Sequence, residues 1–218
     1  MALSAAREEL VRMMKKATYM AENIIQAFLV KDSEVLLDIQ NKETEINYLR
    51  DNIVEFLIKA TQNDIPIEST EEAFIMMNAV KEYEQIADIL STQLKEKAKS
   101  WCESDHEFSE EGRKELIKYH QHTMAILKES IKVYDDFNLK KAKNLKDQYN
   151  AYRDEYFELE RQHYDRLREN IQSSIVSSKT HLEIITLFRV ISSHATNTSR
   201  ILLYRTSGNN KKNQNGKR

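Results

Sequence analysis

The sequence predicts an all-α protein: six long helices arranged as two tandem antiparallel three-helix bundles. Three observations lead there. Turn formers are nearly missing, since the body holds one proline, Pro66, and one glycine, Gly112, with Gly208 and Gly216 near the end. Sheet proteins need turn residues far more often. Charged residues make up 31% of the chain, which suits long helices with solvated faces. Apolar residues recur at spacings of three and four over many turns, the mark of one buried helix face.

The first helix is predicted from about Ser4 to Lys31, on the stripe Leu3, Ala6, Leu10, Met13, Ala17, Met20, Ile24 and Ala27. Asp32 and Ser33 offer a cap for the second, whose stripe is Ile39, Ile46, Leu49, Ile53, Phe56 and Ala60. The break at Asn63-Asp64-Ile65-Pro66 stops it, because proline disfavours a helical residue before it. Ser69 with Glu72 reads as a capping box for a third helix that runs to about Trp101 through Ala73, Met76, Val80, Tyr83, Ile86, Ala87, Leu90 and Leu94.

Residues 102 to 108 form a polar, acidic loop. Ser109 caps the fourth helix, which continues to about Phe137 through Leu116, Tyr119, Ile126, Ile131 and Tyr134. After Asn138 the fifth spans about Leu139 to Asn170, with Ala142, Leu145, Tyr149, Tyr152, Tyr156, Leu159 and Leu167 on its inner side. The small polar run Ser173 to Ser178 predicts an irregular start to the sixth, which continues through Leu182, Ile185, Phe188, Ile191, Ala195 and Leu202. From Ser207 onward no apolar residue remains, and residues 206–218, with Lys211, Lys212, Lys217 and Arg218, read as a disordered basic tail. Helices of about 30 residues span roughly 45 Å, and short links between them make antiparallel neighbours. The first bundle covers about residues 4–101 and the second about 109–205.

Composition narrows the function classes. The formal net charge is −2, so no global field draws the chain to nucleic acid. Cys102 is the single cysteine, which excludes an internal disulfide and fits a reducing, cytoplasmic compartment. No apolar run approaches the ~18 residues of a membrane span, and Arg7, Glu8, Glu9 and Arg12 interrupt any signal-peptide core.

Catalytic signatures are absent: there is no Ser–His–Asp arrangement, phosphate-cradling glycine loop or cysteine zinc motif, and the chain reads as a non-enzyme. One acidic row stands out. Glu43, Asn47 and Asp51 follow one ridge of the second helix, and Glu84 and Asp88 lie four apart on the third. Facing carboxylates hold hard cations or iron, because the ion offsets their repulsion; the bland alternative is a solvated face with ordinary ion pairs. The histidines, His106, His120, His122, His163, His181 and His194, are scattered. His120 and His122 point to different faces of one helix. Glu160 and His163 match the Glu-x-x-His spacing of ferritin-like di-iron proteins, but the second match, Glu103 to His106, falls in a predicted loop. Tyr149, Tyr152 and Tyr156 read as core and rim of the second bundle.

Lys42-Glu43-Thr44-Glu45-Ile46-Asn47-Tyr48-Leu49, followed by Glu84-Gln85-Ile86-Ala87-Asp88, resembles PhoU domains. Arg161 to Leu167 and Arg189 to Asn197 resemble the PhoU-like cytoplasmic region of bacterial sodium/phosphate cotransporter-related proteins. The resemblance covers about residues 5 to 205. It implies one PhoU-like domain over residues 1–205, with a role in restraining phosphate uptake through contact with a membrane phosphate transporter or its transmembrane part. It also implies a place at the inner face of the membrane, and, in some members, iron or zinc held by the acidic motifs. Carried over, Glu43, Asp51, Glu84 and Asp88 are the metal ligands of the first bundle, with Asn47 where an aspartate is usual. In the second bundle Asp154 and Glu158 are the helix-5 counterparts. Arg189 and Ser193 replace the acidic pair on helix 6, so that cluster is expected to be missing, with Arg189 ion-paired to a helix-5 carboxylate. The long stripes leave room for a homodimer, and the competing readings are a ligand-free helical scaffold and a ferritin-like di-iron protein.

Overall fold

The computed structural model describes the backbone of residues 2–62, 66–168 and 172–215, and the side chains within them except those of residues 2, 67, 166–167, 172–176 and 205–215. Among the described residues six helices follow one another: α1 (Ala2–Leu29), α2 (Val35–Thr61), α3 (Ile67–Asp88, continued by a π-helical turn Ile89–Leu94 and by Lys95–Cys102), α4 (Glu110–Asp136), α5 (Leu139–Arg168) and α6 (Gln172–Asn215). Each of α1, α2 and α3 packs on the other two, as does each of α4, α5 and α6, and the two bundles join where α3 meets α6 and α1 meets α4. One continuous apolar core runs through both.

The predicted stripes are the buried faces. From Ala6 to Ala27 the stripe of α1 is buried throughout, and Met14, Ala21, Ile25 and Phe28 widen it, because α1 has neighbours in both halves. The stripe of α3 is buried from Ala73 to Leu94. In α2 the last turn is corrected: Leu57 enters the core while Phe56 stays partly exposed. In α4 and α6 the core also takes small hydroxyl residues, Thr123, Ser130, Ser192, Thr196 and Thr198. Each donates to a carbonyl of the preceding turn, so its burial leaves no unpaired donor.

The helix ends explain how the chain turns with so little glycine. Lys31 and Phe137 take left-handed backbone at φ 55° and 48°, a conformation that costs a non-glycine residue ~1–2 kcal/mol. Phe137 offsets this by packing on Tyr134 at 5.5 Å and under the Arg7 guanidinium at 5.0 Å. Ser109 Oγ caps α4 as expected, accepting from Gly112 N at 3.1 Å, and Asn138 does the same for α5 through Lys141 N at 3.0 Å.

Two predicted starts are corrected. Helix α3 begins directly after Pro66, whose carbonyl accepts from Thr70 N at 3.1 Å, so Ser69 lies inside the first turn and builds no capping box. Pro66 is the N-cap residue at φ −53° and ψ 149°, a φ that its ring sets. The run Ser173 to Ser178 is helical backbone in α6 rather than an irregular start. Helical backbone of α6 extends over residues 206–215, within the expected disordered basic tail. The side chains of Leu167 and of residues 205–215, and residues 63–65 and 216–218, lie outside the described residues.

Candidate functional site

The row predicted on α2 and α3 lies across one helix–helix contact, with Arg50 at its centre. Arg50 donates from Nη1 to Glu84 Oε1 and to Asn47 Oδ1, the latter at 3.2 Å, and from Nε to Asp51 Oδ1 at 2.9 Å. Asp51 is 71% exposed, whereas the side chains of Arg50 and Glu84 are each 28% exposed. Glu43 accepts from Gln40 Nε2 at 2.7 Å. Asp88 carries the electrostatic strain: burial, then Glu84 and then Glu43, push its carboxyl above the usual range, and Arg50 only partly opposes them. Directly after Asp88 the helix widens into the π turn, where Thr92 Oγ1 donates to the Asp88 carbonyl. Such bulges occur frequently at functional sites.

Among the described residues, the matching place in the second half carries no acidic row. Asp154 pairs with Arg153 at 3.0 Å and Glu158 with Arg161 at 2.6 Å, both near the surface. Among the described residues Arg189 makes no ion pair, contrary to the expectation of a helix-5 carboxylate partner. Its guanidinium lies 4.7 Å over the Tyr156 ring instead. Tyr156 is buried, so the aromatic face offers a partly desolvated cation a partner where no carboxylate reaches.

Among the described residues, the one grouping that brings three ligand atoms within 4.8 Å of one another lies elsewhere. It consists of Glu115 on α4, His163 on α5 and His181 on α6. Glu160, the ferritin-type companion of His163, does not join it, and His106 stands exposed in the loop after α3. The remaining histidines divide as their spacing implied. His120 reaches the Ala21 carbonyl at 2.9 Å, while His122 stacks on Tyr152 at 3.9 Å. Cys102 is structural, donating to the Ala27 carbonyl at 3.4 Å.

This arrangement has counterparts among solved structures. The model of the PhoU domain matches residues 10–109. The structure aligns with that of PhoU from Pseudomonas aeruginosa at a TM-score of 0.84 and 18% identity, covering 95% of this chain and 98% of the other. The fold is that of PhoU. A second PhoU structure, the phosphate transport system regulatory protein from Streptococcus pneumoniae, aligns at 0.79 and 17% identity, over 94% and 95% of the two chains. No curated protein sequence matches this one.

Within the PhoU fold the two halves differ at this place. The first keeps acidic residues on both α2 and α3, and the second holds an arginine stacked on tyrosine. The sequence reading missed Arg50, a cation one residue before Asp51, because spacing rules looked for ligands only. It also missed Glu115 and His181 as partners of His163. A signal was present: His163 continues the stripe Leu145, Tyr149, Tyr156, Leu159, and His181 precedes Ile184, Ile185 and Phe188 at core spacing.

Proposed function

We propose that this chain is a non-enzymatic regulator of phosphate transport that acts by contact with a membrane phosphate transporter. One observation carries the reading: the PhoU fold extends over 95% of the chain, and the PhoU domain model matches the half that holds the acidic row. The helix-5 and helix-6 motifs, Arg161 to Leu167 and Arg189 to Asn197, favour a partner of the sodium/phosphate cotransporter type. No described helix is long and apolar enough to cross a membrane. In this reading the chain docks on the transporter's transmembrane part from the cytoplasmic side. Tyr48, 70% exposed, and Phe56 flank a groove between α1 and α2 with Arg12 and Asn52, a surface suited to protein contact. A second copy of the chain is the other partner this reading includes.

The acidic row gives the regulator a sensor. No three of Glu43, Asp51, Glu84 and Asp88 bring ligand atoms within 4.8 Å of one another among the described residues, so iron or zinc held by them would need side-chain rotations. It would then relieve the crowding around Asp88 and replace the Arg50 guanidinium on Glu84. The test is co-purification of the untagged chain with phosphate-transporter membranes from cells grown in high and low phosphate. Retention that changes with phosphate supply supports the proposal. Absence of the chain from the transporter fraction in both conditions counts against it.

A further inference from the structure

The antiparallel topology brings the start of α4, the end of α5 and the start of α6 to one end of the second bundle. Each contributes one ligand-type residue there: Glu115, His163 and His181. Both histidines are in the core, at 3% and 1% exposure, with their rings stacked at 5.2 Å and 16°. Glu115 is 15% exposed along its side chain and connects the site to solvent. His181 Nε2 is 3.4 Å from Glu115 Oε2 and 3.1 Å from the Gly112 carbonyl oxygen. Gly112 matters here. A Cβ at that position would meet the His181 ring at 3.6 Å, an ordinary contact, and Ser109 Oγ at a tighter 3.2 Å, so Gly112 lies directly between the imidazole and the cap of α4.

We infer that Glu115, His163 and His181 form a binding site for a divalent transition-metal ion, zinc first among them. Two imidazoles and a carboxylate are a donor set that zinc takes with a fourth position open to water. Ligand atoms around tetrahedral zinc, at bond lengths near 2.0–2.1 Å, stand about 3.3 Å apart, the separation already present between His181 Nε2 and Glu115 Oε2. All three ligand atoms lie within 4.8 Å of one another, so small side-chain rotations close the set. Without metal, His181 Nε2 donates its proton to the Gly112 carbonyl, so ligation through Nε2 replaces that hydrogen bond and moves the ring proton to Nδ1. This site is separate from the α2–α3 acidic row and does not depend on the regulatory reading.

The test uses the untagged full chain. After zinc loading and desalting, elemental analysis of E84Q/D88N, in which the α2–α3 row is disabled, is expected to give one zinc per chain. E115Q and H163Q, with helical circular dichroism unchanged, are expected to weaken zinc at least tenfold in competition with a chromogenic chelator, since even loss of an outer-shell partner costs ~10–100-fold. E84Q/D88N should leave this zinc in place. Cobalt(II) loading of the unaltered protein is the second measurement, for the case in which the variants do not fold. Intense d–d absorption of a low-coordinate, imidazole-bound ion is expected. No retained zinc, zinc unaffected by E115Q and H163Q, or a weak octahedral cobalt spectrum overturns the site.

Discussion

His194 Nδ1 lies 2.7 Å from Glu82 Oε2, so an imidazole on α6 and a carboxylate on α3 tie the two bundles together. Asn197 Nδ2 adds a second contact to the same oxygen at 3.3 Å. Tyr83 and Ser130 share a buried hydrogen bond across the same boundary. The halves are therefore held by polar contacts as well as by the continuous core, and E82A is expected to lower unfolding free energy by ~1–3 kcal/mol, the cost of orphaning partners of a charged group. Urea denaturation of E82A and of the unaltered chain reads this directly. Equal midpoints would show that the contact contributes nothing.

Glu45 supplies an acid-sensitive contact. Hydrogen bonds from Lys16 and then Lys42 hold its carboxyl down at about 2. A depressed carboxylate contributes stability above its unfolded pKa and loses it as pH falls through the folded value. The window is thus from about 4.5 down to about 2. Because Glu45 is 42% exposed, salt screens part of the effect. E45Q is expected to flatten the acid limb of stability in this window. An unchanged limb would assign acid sensitivity to other carboxylates.

Two histidines act at milder pH. Burial lowers the pKa of His120 and of His122, outweighing the Ala21 carbonyl beside the first and Glu155 beside the second. The unfolded chain then binds more protons below about 6.5, so stability falls as pH drops below that value. H120Q/H122Q should show a weaker dependence of melting temperature between pH 7 and 5. The same slope in both proteins would contradict the assignment.

Asp88 has the opposite sign. Its carboxyl is pushed up by burial, Glu84 and Glu43, so the folded state holds the proton more tightly and stability declines as pH rises past 3.8. In metal-free protein at neutral pH, D88N is expected to raise the melting temperature. Iron or zinc bound at the acidic row reverses this, because the ion stabilises the unaltered chain and has lost a ligand in D88N. Thermal melts with and without each metal separate the cases.

Ser109 offers a test of the second bundle alone. Its Oγ accepts from Gly112 N at the start of α4, and S109A is expected to cost ~1 kcal/mol, or about 2–4 °C in melting temperature for a chain of this size. A change below 0.5 °C, read against ~0.1–0.2 kcal/mol, would show that another group caps the helix.

Much of this fold is legible in the amino-acid order. The stripe of α1 from Ala6 to Ala27 and that of α3 from Ala73 to Leu94 name their buried faces, because 3.6-residue periodicity is a property of the chain itself. The cap at Ser109 is legible for the same local reason. What escapes depends on three-dimensional proximity. Pro66 overrides the Ser69–Glu72 box, Arg189 takes the Tyr156 ring over a carboxylate, and Arg50 places its charge inside a row read only for its oxygen ligands. Glu115, His163 and His181 are far apart in sequence, and only the antiparallel return of α5 and α6 places them together.

Phosphate uptake in the source cells, with this chain removed and phosphate plentiful, tests the regulatory reading most directly. The account predicts faster uptake on deletion, restored to the original rate by the intact chain. Uptake that is the same with and without the chain would contradict it.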